Sequence, residues 1–402
     1  MRDSTIYQPL DPNGGIRVLI LEPDSDGAEI RCSLTHENLH NDVEYKALSY
    51  EWGSPKDSKM IKLNGESVSV TNNLWWALWH LRKHRRITRL WIDALCINQK
   101  DKYERGHQVS MMGSIYRNAE VICWLGRGND NKQLDRAMRY LENTPDEVNP
   151  QELLYSWDID NHSMPSSHQV SVDMASPRAR NNHSSLSYHD PRQYSDRYQS
   201  GYSSNYPSIL EISPNIEALC SLTYWRRTWI IQEVVLARRL MIWQGDVCID
   251  EMKFFGLCKR VLLHSLTEQG VLMVEAFRIL HLRRYGQSLT LMQLMEFSEL
   301  SSCQDLRDRV YAMLGLASDG QQLIPDYTKS IEDVYKDVML MHTLCTKRNN
   351  LRTVYFSQLV QRAFWPLSAS IVEYYSETPG TETQRTDYQD YWGRLWYHKM
   401  SL

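Results

Sequence analysis

Several features that mark large classes of proteins are missing from the sequence. No stretch reaches about 18 consecutive apolar residues, so no segment is expected to cross a bilayer as a helix. The opening residues MRDSTIYQPLDPNGG contain no apolar core of a secretory signal. Lys and Arg number 45 against 49 Asp and Glu, a net charge of -4, so the basic excess of a nucleic-acid-binding protein is lacking. These absences predict a soluble, cytoplasmic protein without a membrane span and without a nucleic-acid partner.

The sequence also lacks the motifs of the common metal-dependent and nucleotide-dependent enzymes. It contains no CxxC and no HExxH, and its eight cysteines are scattered, several inside apolar runs such as VICWLG. This pattern indicates reduced, packed cysteines rather than a disulfide framework or a zinc site. Neither GxGxxG nor a P-loop motif (GxxxxGKS or GxxxxGKT) occurs, so the usual dinucleotide fold and a nucleoside triphosphatase are not supported. We therefore expect neither a metal nor a resident cofactor.

What the sequence does contain is an alternation of strand and helix patterns. Runs that predict strands occur at YKALSY (45–50), TRLWIDAL (88–95) and EVICWLG (120–126). An amphipathic helical pattern at 101–119 separates the last two, which makes a βαβ unit. MIKLNGESVSV (60–70) is typical of a hairpin because Asn64 and Gly65 separate two alternating runs. The prediction is an α/β fold with a mainly parallel sheet flanked by helices, an edge hairpin and helical C-terminal additions.

The middle of the chain has a different composition. Residues 161–207 contain twelve Ser, five Tyr and four His but only five residues drawn from Val, Ile, Leu, Met and Phe. Such a segment cannot bury enough apolar surface to offset the entropy lost on ordering. We therefore predict a disordered insertion over residues 156–207, and we interpret its His and Tyr as a solvated polar linker rather than a metal site.

Four sequence blocks stand in order along the chain: YKALSYEWG (45–53), LWIDALCINQKDKYERGHQVSMMGSIYRNAEVICWLG (90–126), LTYWRRTWIIQEVVLAR (222–238) and DLRDRVYAMLGLA (305–317). Together they resemble the heterokaryon-incompatibility domain of filamentous fungi, whose pattern is SY-x-WG, WIDA-x-C-I-N-Q, ER-x-x-Q-V and W-x-R-x-W-x-x-Q-E. The resemblance predicts an N-terminal extension at 1–44, the domain itself at 45–330 around the insertion, and a helical tail at 331–402.

This resemblance implies an effector of non-self recognition and regulated cell death, with possible self-association and an allelic or receptor-type protein as partner. It also implies a distant similarity to Toll/interleukin-1 receptor (TIR) domains, which are flavodoxin-like and many of which cleave NAD. Ser49 and Tyr50 end the first strand as in those domains, and Trp229 stands four residues before Glu233. NAD is then a substrate rather than a cofactor. The residues expected to bind it are Ser49, Tyr50, Trp52, Asp93 and Trp229.

Glu233 is the predicted catalytic residue. The segment from Tyr224 to Ala237 is predicted to be one helix, one side of which carries Trp225, Trp229, Glu233 and Leu236. An indole one turn from a carboxyl group lowers the local polarity and raises the pKa of that group. Cleavage of nicotinamide from ribose passes through an oxocarbenium-like species, as glycoside hydrolysis does. Because nicotinamide leaves as a neutral base, one carboxylate near the ribose suffices, without a metal.

Two alternatives stay open on the sequence alone. Glu233 is equally compatible with a structural ion pair, although Arg227 lies six residues earlier and is poorly placed on a continuous helix. Asp93 follows a strand directly and either orients a ribose hydroxyl or caps the following turn. At the level of function, the alternative to an NAD glycohydrolase is a non-enzymatic module that signals by self-association.

Overall fold

The structure is a computed structural model that describes residues 6–23, 29–84, 87–128, 132–143, 209–265, 275–286, 288–345 and 350–365. The predicted insertion at 156–207 lies outside the described residues. The chain divides into two compact units. The first comprises Met1–Cys123, Thr223–Leu240 and Ile279–Leu402, and the second comprises Trp124–Leu222 and Met241–Arg278.

A mixed sheet forms the centre of the first unit. Its strands are β1 (Gly15–Leu21), β2 (Arg31–Asn38), β3 (Lys46–Tyr50), β4 (Ser58–Leu63), β5 (Glu66–Thr71), β6 (Arg89–Trp91) and β7 (Glu120–Trp124). They lie in the order β5-β4-β2-β1-β6-β3-β7. β3 and β6 are parallel neighbours, with Ala47 opposite Trp91, whereas β1 is antiparallel to both β2 and β6. β2 and β4 are also parallel neighbours. The predicted α/β class is confirmed, and the parallel pair of β3 and β6 carries Tyr50 and Asp93 at its carboxyl ends.

The hairpin at the edge of this sheet is also confirmed. β4 and β5 pair antiparallel from Ser58 opposite Thr71 to Leu63 opposite Glu66. Asn64 and Gly65 connect them with φ values of 52° and 81°. Positive φ at both central positions is the geometry that an Asn-Gly turn adopts most readily.

The N-terminal segment predicted as an extension contributes strands to the same sheet. β1 and β2 lie between β4 and β6, and β1 is buried along almost its whole length. Arg17 of β1 is fully buried and binds Glu104 through two hydrogen bonds of 2.6 and 2.9 Å. This two-pronged pair of a guanidinium and a carboxylate ties β1 to the helix that carries Glu104.

The helices of the described residues follow one another in chain order. They are α1 (Asn72–Leu81), α2 (Asp93–Cys96), α3 (Lys102–Asn118), α4 (Lys132–Asn143), α5 (Ile209–Cys220), α6 (Thr228–Val235), α7 (Glu251–Ser265), α8 (Glu275–Tyr285), α9 (Leu291–Phe297), α10 (Asp308–Tyr311), α11 (Ile331–Cys345) and α12 (Asn350–Phe364). α3 begins as predicted, because the Asp101 side chain accepts hydrogen bonds from the backbone of Tyr103 and Glu104. The C-terminal helical additions are confirmed by α11 and α12.

The continuous helix predicted from Tyr224 to Ala237 is wrong. A 3-10 turn covers Thr223–Arg226, and α6 begins only at Thr228. Arg227 between them is extended, with φ −70° and ψ 134°. The cause is a tertiary contact, since the Thr228 amide donates to the Ser302 carbonyl at 2.9 Å and the Ser302 amide donates to the Arg226 carbonyl at 2.6 Å. At the other end of α6, Arg283 donates to three backbone carbonyls of residues 234, 235 and 237.

The second unit is built on helices α4, α5 and α7 and on a hairpin of β8 (Arg239–Gln244) and β9 (Val247–Asp250), of which the first two residues of β8 belong to the first unit. Its core includes Leu134, Met138, Ile216 and Phe254, all nearly inaccessible to solvent. Cys220 and Cys258 are buried free thiols with their sulfur atoms 3.1 Å apart. Across the described parts of both units, no helix combines the length and apolar character needed to cross a membrane.

Candidate functional site

The site begins at the carboxyl ends of two neighbouring parallel strands. Ser49 and Tyr50 are the last residues of β3, and Asp93 follows β6 after a single residue. Because β3 and β6 are parallel and adjacent, these side chains emerge at the same edge of the sheet. The structure thus brings together Ser49, Tyr50 and Asp93, three of the residues predicted from the sequence.

Glu233 joins this edge from α6. The Ser49 hydroxyl donates to Glu233 Oε2 at 2.5 Å, and the same hydroxyl lies 2.7 Å from the Tyr224 hydroxyl. Glu233 is only 2% exposed and Ser49 is fully buried. Burial raises the pKa of Glu233 to about 7, although the charge of Arg227 and the hydrogen bond from Ser49 act in the opposite direction. Near neutral pH this carboxyl group therefore exchanges readily between its protonated and ionised forms.

Asp93 forms the second acidic group of the site and keeps partial exposure to solvent. The Trp52 indole donates to Asp93 Oδ2 at 2.8 Å, and the Ala94 amide donates to Oδ1 at 2.7 Å. The Tyr50 hydroxyl is a third hydrogen-bond partner of this carboxyl group. Burial raises the pKa of Asp93 despite the charge of Arg227 and these hydrogen bonds. Both sequence interpretations of Asp93 thus remain compatible with its position at the start of α2.

Arg227 supplies the positive charge of the cluster, although on the predicted continuous helix it is poorly placed to pair with Glu233. One of its guanidinium nitrogens donates to the Tyr50 carbonyl. Burial works against the charged guanidinium, but the charges of Glu233 and Asp93 outweigh it and raise the pKa of Arg227. A continuous helix would hold Arg227 away from Glu233, whereas with the extended backbone at Arg227 its charge interacts with both acids. The only sequence signal was its position in the W-x-R-x-W-x-x-Q-E block.

The loop after β3 is held from two sides. The Asn73 side chain, at the start of α1, donates to the Glu51 carbonyl at 2.6 Å. The Thr223 hydroxyl donates to the Glu51 carboxylate at 2.8 Å. Gly53 turns the chain with φ 75°, a conformation that residues with a side chain rarely adopt. These contacts fix the segment that presents Trp52 to Asp93.

Trp229 does not join this cluster. It lies one turn before Glu233 on α6, but its indole hydrogen-bonds to the buried carboxyl group of Asp308. Asp308 also accepts a hydrogen bond of 2.7 Å from the Tyr327 hydroxyl. Trp225, predicted on the Glu233 side of one helix, lies before the break and packs edge-on against Tyr224 at 4.8 Å between ring centroids. The groups beside Glu233 are therefore the hydroxyls of Ser49 and Tyr224 and the charge of Arg227, and not the two predicted indoles.

The cluster contains acids, hydroxyl groups and one guanidinium. In the portion of the chain that the structure describes, no group of three or more His, Cys, Asp or Glu is arranged to hold a metal ion. Cys96, next to the site in α2, accepts a hydrogen bond from the Ile92 amide, and burial raises the pKa of its thiol to about 12. Such a thiol is protonated at neutral pH and acts as a packing residue.

Comparison with known proteins finds a family match over the segment that contains the first two sequence blocks and most of the third. Residues 45–233 match the family model described as "Heterokaryon incompatibility protein (HET)". The matched segment runs from the residue before β3 to Glu233 itself. It contains every residue of the acid cluster, namely Ser49, Tyr50, Trp52, Asp93, Tyr224, Arg227 and Glu233. Asp308 and Tyr327, the partners of Trp229, lie beyond its matched end.

One curated relative of this chain is the Neurospora crassa "Heterokaryon incompatibility protein 6, OR allele". The two sequences are 28% identical over 363 residues, which cover 80% of this chain and 50% of the relative. The chain therefore spans about half the length of the curated relative it matches. No solved structure matches the chain.

Proposed function

We propose that this chain acts in fungal heterokaryon incompatibility as a cytoplasmic effector that cleaves NAD at the bond between nicotinamide and ribose. The incompatibility role rests on the matched domain and on the name of the Neurospora crassa relative. The enzymatic part rests on the acid cluster and on the resemblance of SY at the end of β3, and of the α6 carboxyl group, to TIR domains. The activating partner is then an allelic or receptor-type protein.

The observation that carries the enzymatic proposal is an excess of acid at one edge of the sheet. Glu233 and Asp93 both interact electrostatically with Arg227, and the pKa of each carboxyl group is raised. Two carboxyl groups share one guanidinium, so the cluster becomes net negative when both ionise. Groups whose pKa is strongly perturbed by burial and a specific charge occur preferentially at functional sites.

The proposed reaction needs an anion and a water molecule. The bond between the pyridinium nitrogen and the ribose carbon breaks, and its electron pair leaves with neutral nicotinamide. A carboxylate of the cluster opposes the positive charge that develops on the ribose. Water then adds to that carbon and releases a proton, so the products are nicotinamide, ADP-ribose and one proton.

The direct test is nicotinamide release from NAD by the purified chain, followed by liquid chromatography. The assay is run on the chain alone and on the chain fused to a domain that forces self-association. Asp305→Asn serves as a matched control because it removes a carboxylate outside the cluster. Release of nicotinamide that persists in the control supports the proposal, and no release in either form contradicts it.

A second candidate, assembly without catalysis, is favoured by an exposed apolar stripe. Leu340 and Leu344 lie one turn apart on α11 and are 62% and 69% exposed. Replacing both with Ser is expected to lower the molecular mass measured by light scattering if the stripe joins two copies of the chain. Cell death that is lost in this variant but survives in Glu233→Gln and Asp93→Asn would favour assembly over cleavage.

A further inference from the structure

The two acids of the site differ in how easily a substrate could reach them. Glu233 is 2% exposed, and its neighbours Ser49 and Tyr224 are 0% and 2% exposed. Asp93 and its partner Trp52 are only partly buried, and the loop that follows from Gly53 is exposed. A molecule arriving from solvent therefore meets Asp93 before it meets Glu233.

Asp93 also has a free position for a ligand. An ionised carboxylate offers about four acceptor positions. Three donors occupy Asp93: the Trp52 indole, the Ala94 amide and the Tyr50 hydroxyl. Because these donors come from α2 and from the end of β3 and its loop, they fix the orientation of the carboxylate. One acceptor position remains for a hydroxyl group of the substrate.

The hydrogen bonds of Glu233 lead away from solvent. Its partner Ser49 lies against the Tyr224 hydroxyl, which hydrogen-bonds in turn to the Cys123 thiol of β7. The titratable and charged groups that face Glu233 are Tyr50, Asp93, Tyr116, Tyr224 and Arg227. Among these groups, Arg227 carries the positive charge and interacts with both acids.

We propose, building on the NAD glycohydrolase assigned above, that Asp93 is the carboxylate that contacts the substrate ribose and that Glu233 is a positioning residue behind it. Ionised Glu233 neutralises Arg227 and leaves the charge of Asp93 free to oppose the developing cation. When Glu233 is protonated, Arg227 pairs with Asp93 alone and weakens that effect. Turnover therefore rises with pH as Glu233 loses its proton.

The first test uses chemical labelling and does not depend on turnover. The full chain is treated with a water-soluble carbodiimide and an amine at mildly acidic pH, with and without excess NAD, and modified carboxyl groups are mapped by mass spectrometry. We expect Asp93 to be modified and to be protected by NAD, and Glu233 to stay unmodified in both samples. Labelling of Glu233 that NAD blocks, or labelling of Asp93 that NAD leaves unchanged, would overturn the assignment.

The second test separates the two acids by kinetics. Asp93→Asn should lower kcat about 100-fold or more, the usual loss when a group that stabilises transition-state charge is removed. Glu233→Gln should lower kcat about 10-fold, leave KM within about twofold and abolish the rise of kcat with pH, which a purely structural role would not do. Trp52→Phe keeps the charge of Asp93 and removes only one of its hydrogen-bond donors. If Asp93→Asn does not fold, a lower kcat in Trp52→Phe tests the role of the same carboxylate.

The outcomes distinguish this assignment from the proposed function. A wild-type chain that releases no nicotinamide, alone or self-associated, refutes the glycohydrolase. An active wild-type chain in which Asp93→Asn keeps its kcat while folded Glu233→Gln loses all activity leaves the glycohydrolase standing and refutes the assignment of Asp93. Circular dichroism of each variant at the assay temperature verifies that it is folded.

Discussion

The first unit holds two clusters in which carboxyl groups meet arginine side chains, one around Arg227 and one around Arg307. In the first, the buried Glu233 and the partly buried Asp93 both interact with the charge of Arg227. In the second, Arg307 binds Asp305 through hydrogen bonds of 2.9 and 2.8 Å, and Arg105 approaches the same carboxylate at 3.9 Å. In the first cluster two carboxyl groups therefore interact with one guanidinium, whereas two arginine side chains approach the single carboxylate of Asp305.

The two clusters shift the pKa of their acids in opposite directions. Burial raises the pKa of Glu233 and of Asp93, and Arg227 does not compensate for it. Burial also acts on Asp305, but the hydrogen bonds and charges of Arg307, with that of Arg105, lower its pKa. The contrast shows that an arginine alone does not lower the pKa of a nearby carboxyl group. The ionised form is stabilised only when favourable charges and hydrogen bonds together outweigh the free energy lost on removing the carboxylate from water. We interpret the matched cluster as structural and the unmatched one as functional.

The largest effect is expected when Arg227 is removed. Arg227→Met should lower the free energy of unfolding by about 3–5 kcal/mol at pH 8, because it leaves the buried carboxylate of Glu233 and its neighbour Asp93 without a cation. The loss should be smaller at pH 5, because Glu233, with a pKa of about 7, is then protonated. Urea unfolding at the two pH values measures the difference.

Arg226→Met is the matched control for that variant, because the Arg226 side chain is exposed. Arg226→Met should change the free energy of unfolding by no more than about 0.5 kcal/mol at either pH. An equal loss of stability at pH 5 and pH 8 in Arg227→Met would show that Arg227 acts through its hydrogen bond to the Tyr50 carbonyl and not through the two acids.

The next largest effect is the change of stability with pH that the titration of Glu233 causes. Its pKa is raised from an ordinary value of 4.5 to about 7, so the folded protein binds more protons than the unfolded chain between these pH values. The stability of the wild type therefore falls as pH rises through this window. Gln cannot titrate, so the stability of the wild type minus that of Glu233→Gln should fall by about 3 kcal/mol from pH 4.5 to pH 8. A difference that does not change with pH would contradict the raised pKa.

A smaller effect of opposite sign is expected at Asp305. Because its pKa is lowered from 3.8, Asp305 stabilises the folded protein above that value and loses this contribution as pH falls. Asp305→Asn should cost about 1 kcal/mol at pH 7, an amount limited by solvent screening at this partly exposed site. Thermal unfolding at pH 7 and near pH 3 compares the variant with the wild type. A loss of stability in Asp305→Asn that is larger near pH 3 than at pH 7 would contradict the lowered pKa of Asp305 and with it the contrast between the two clusters.

The smallest effect is expected at Trp229, which the structure assigns to a third carboxyl group. Trp229→Phe keeps an aromatic ring but cannot donate to Asp308, which retains its hydrogen bond of 2.7 Å from Tyr327. The expected loss is about 0.5–1 kcal/mol in the free energy of unfolding. A double-mutant cycle with Asp308→Asn measures the coupling, and a coupling near zero would show that this hydrogen bond does not contribute.

Much of the fold and part of the site could be predicted from local patterns. The hairpin around Asn64 and Gly65 and the start of α3 at Asp101 follow from preferences within a few residues. The meeting of Tyr50 and Asp93 follows from one further rule, that adjacent parallel strands end at the same edge of a sheet. The sequence predicts a site of Ser49, Tyr50, Trp52, Asp93 and Glu233, and the structure brings these residues into one cluster. Their roles in binding and catalysis stay predictions.

Periodicity and turn chemistry act over short distances along the chain, so local sequence specifies the strands, the turns and the identity of the acids. How the charges of those acids are compensated depends on contacts between distant segments. Arg227 leaves the helical pattern because its neighbours pair with Ser302, 75 residues further along the chain, and Trp229 turns to Asp308. Contacts between such distant segments leave no local periodicity, and they bring the charge of Arg227 close enough to interact with both Glu233 and Asp93.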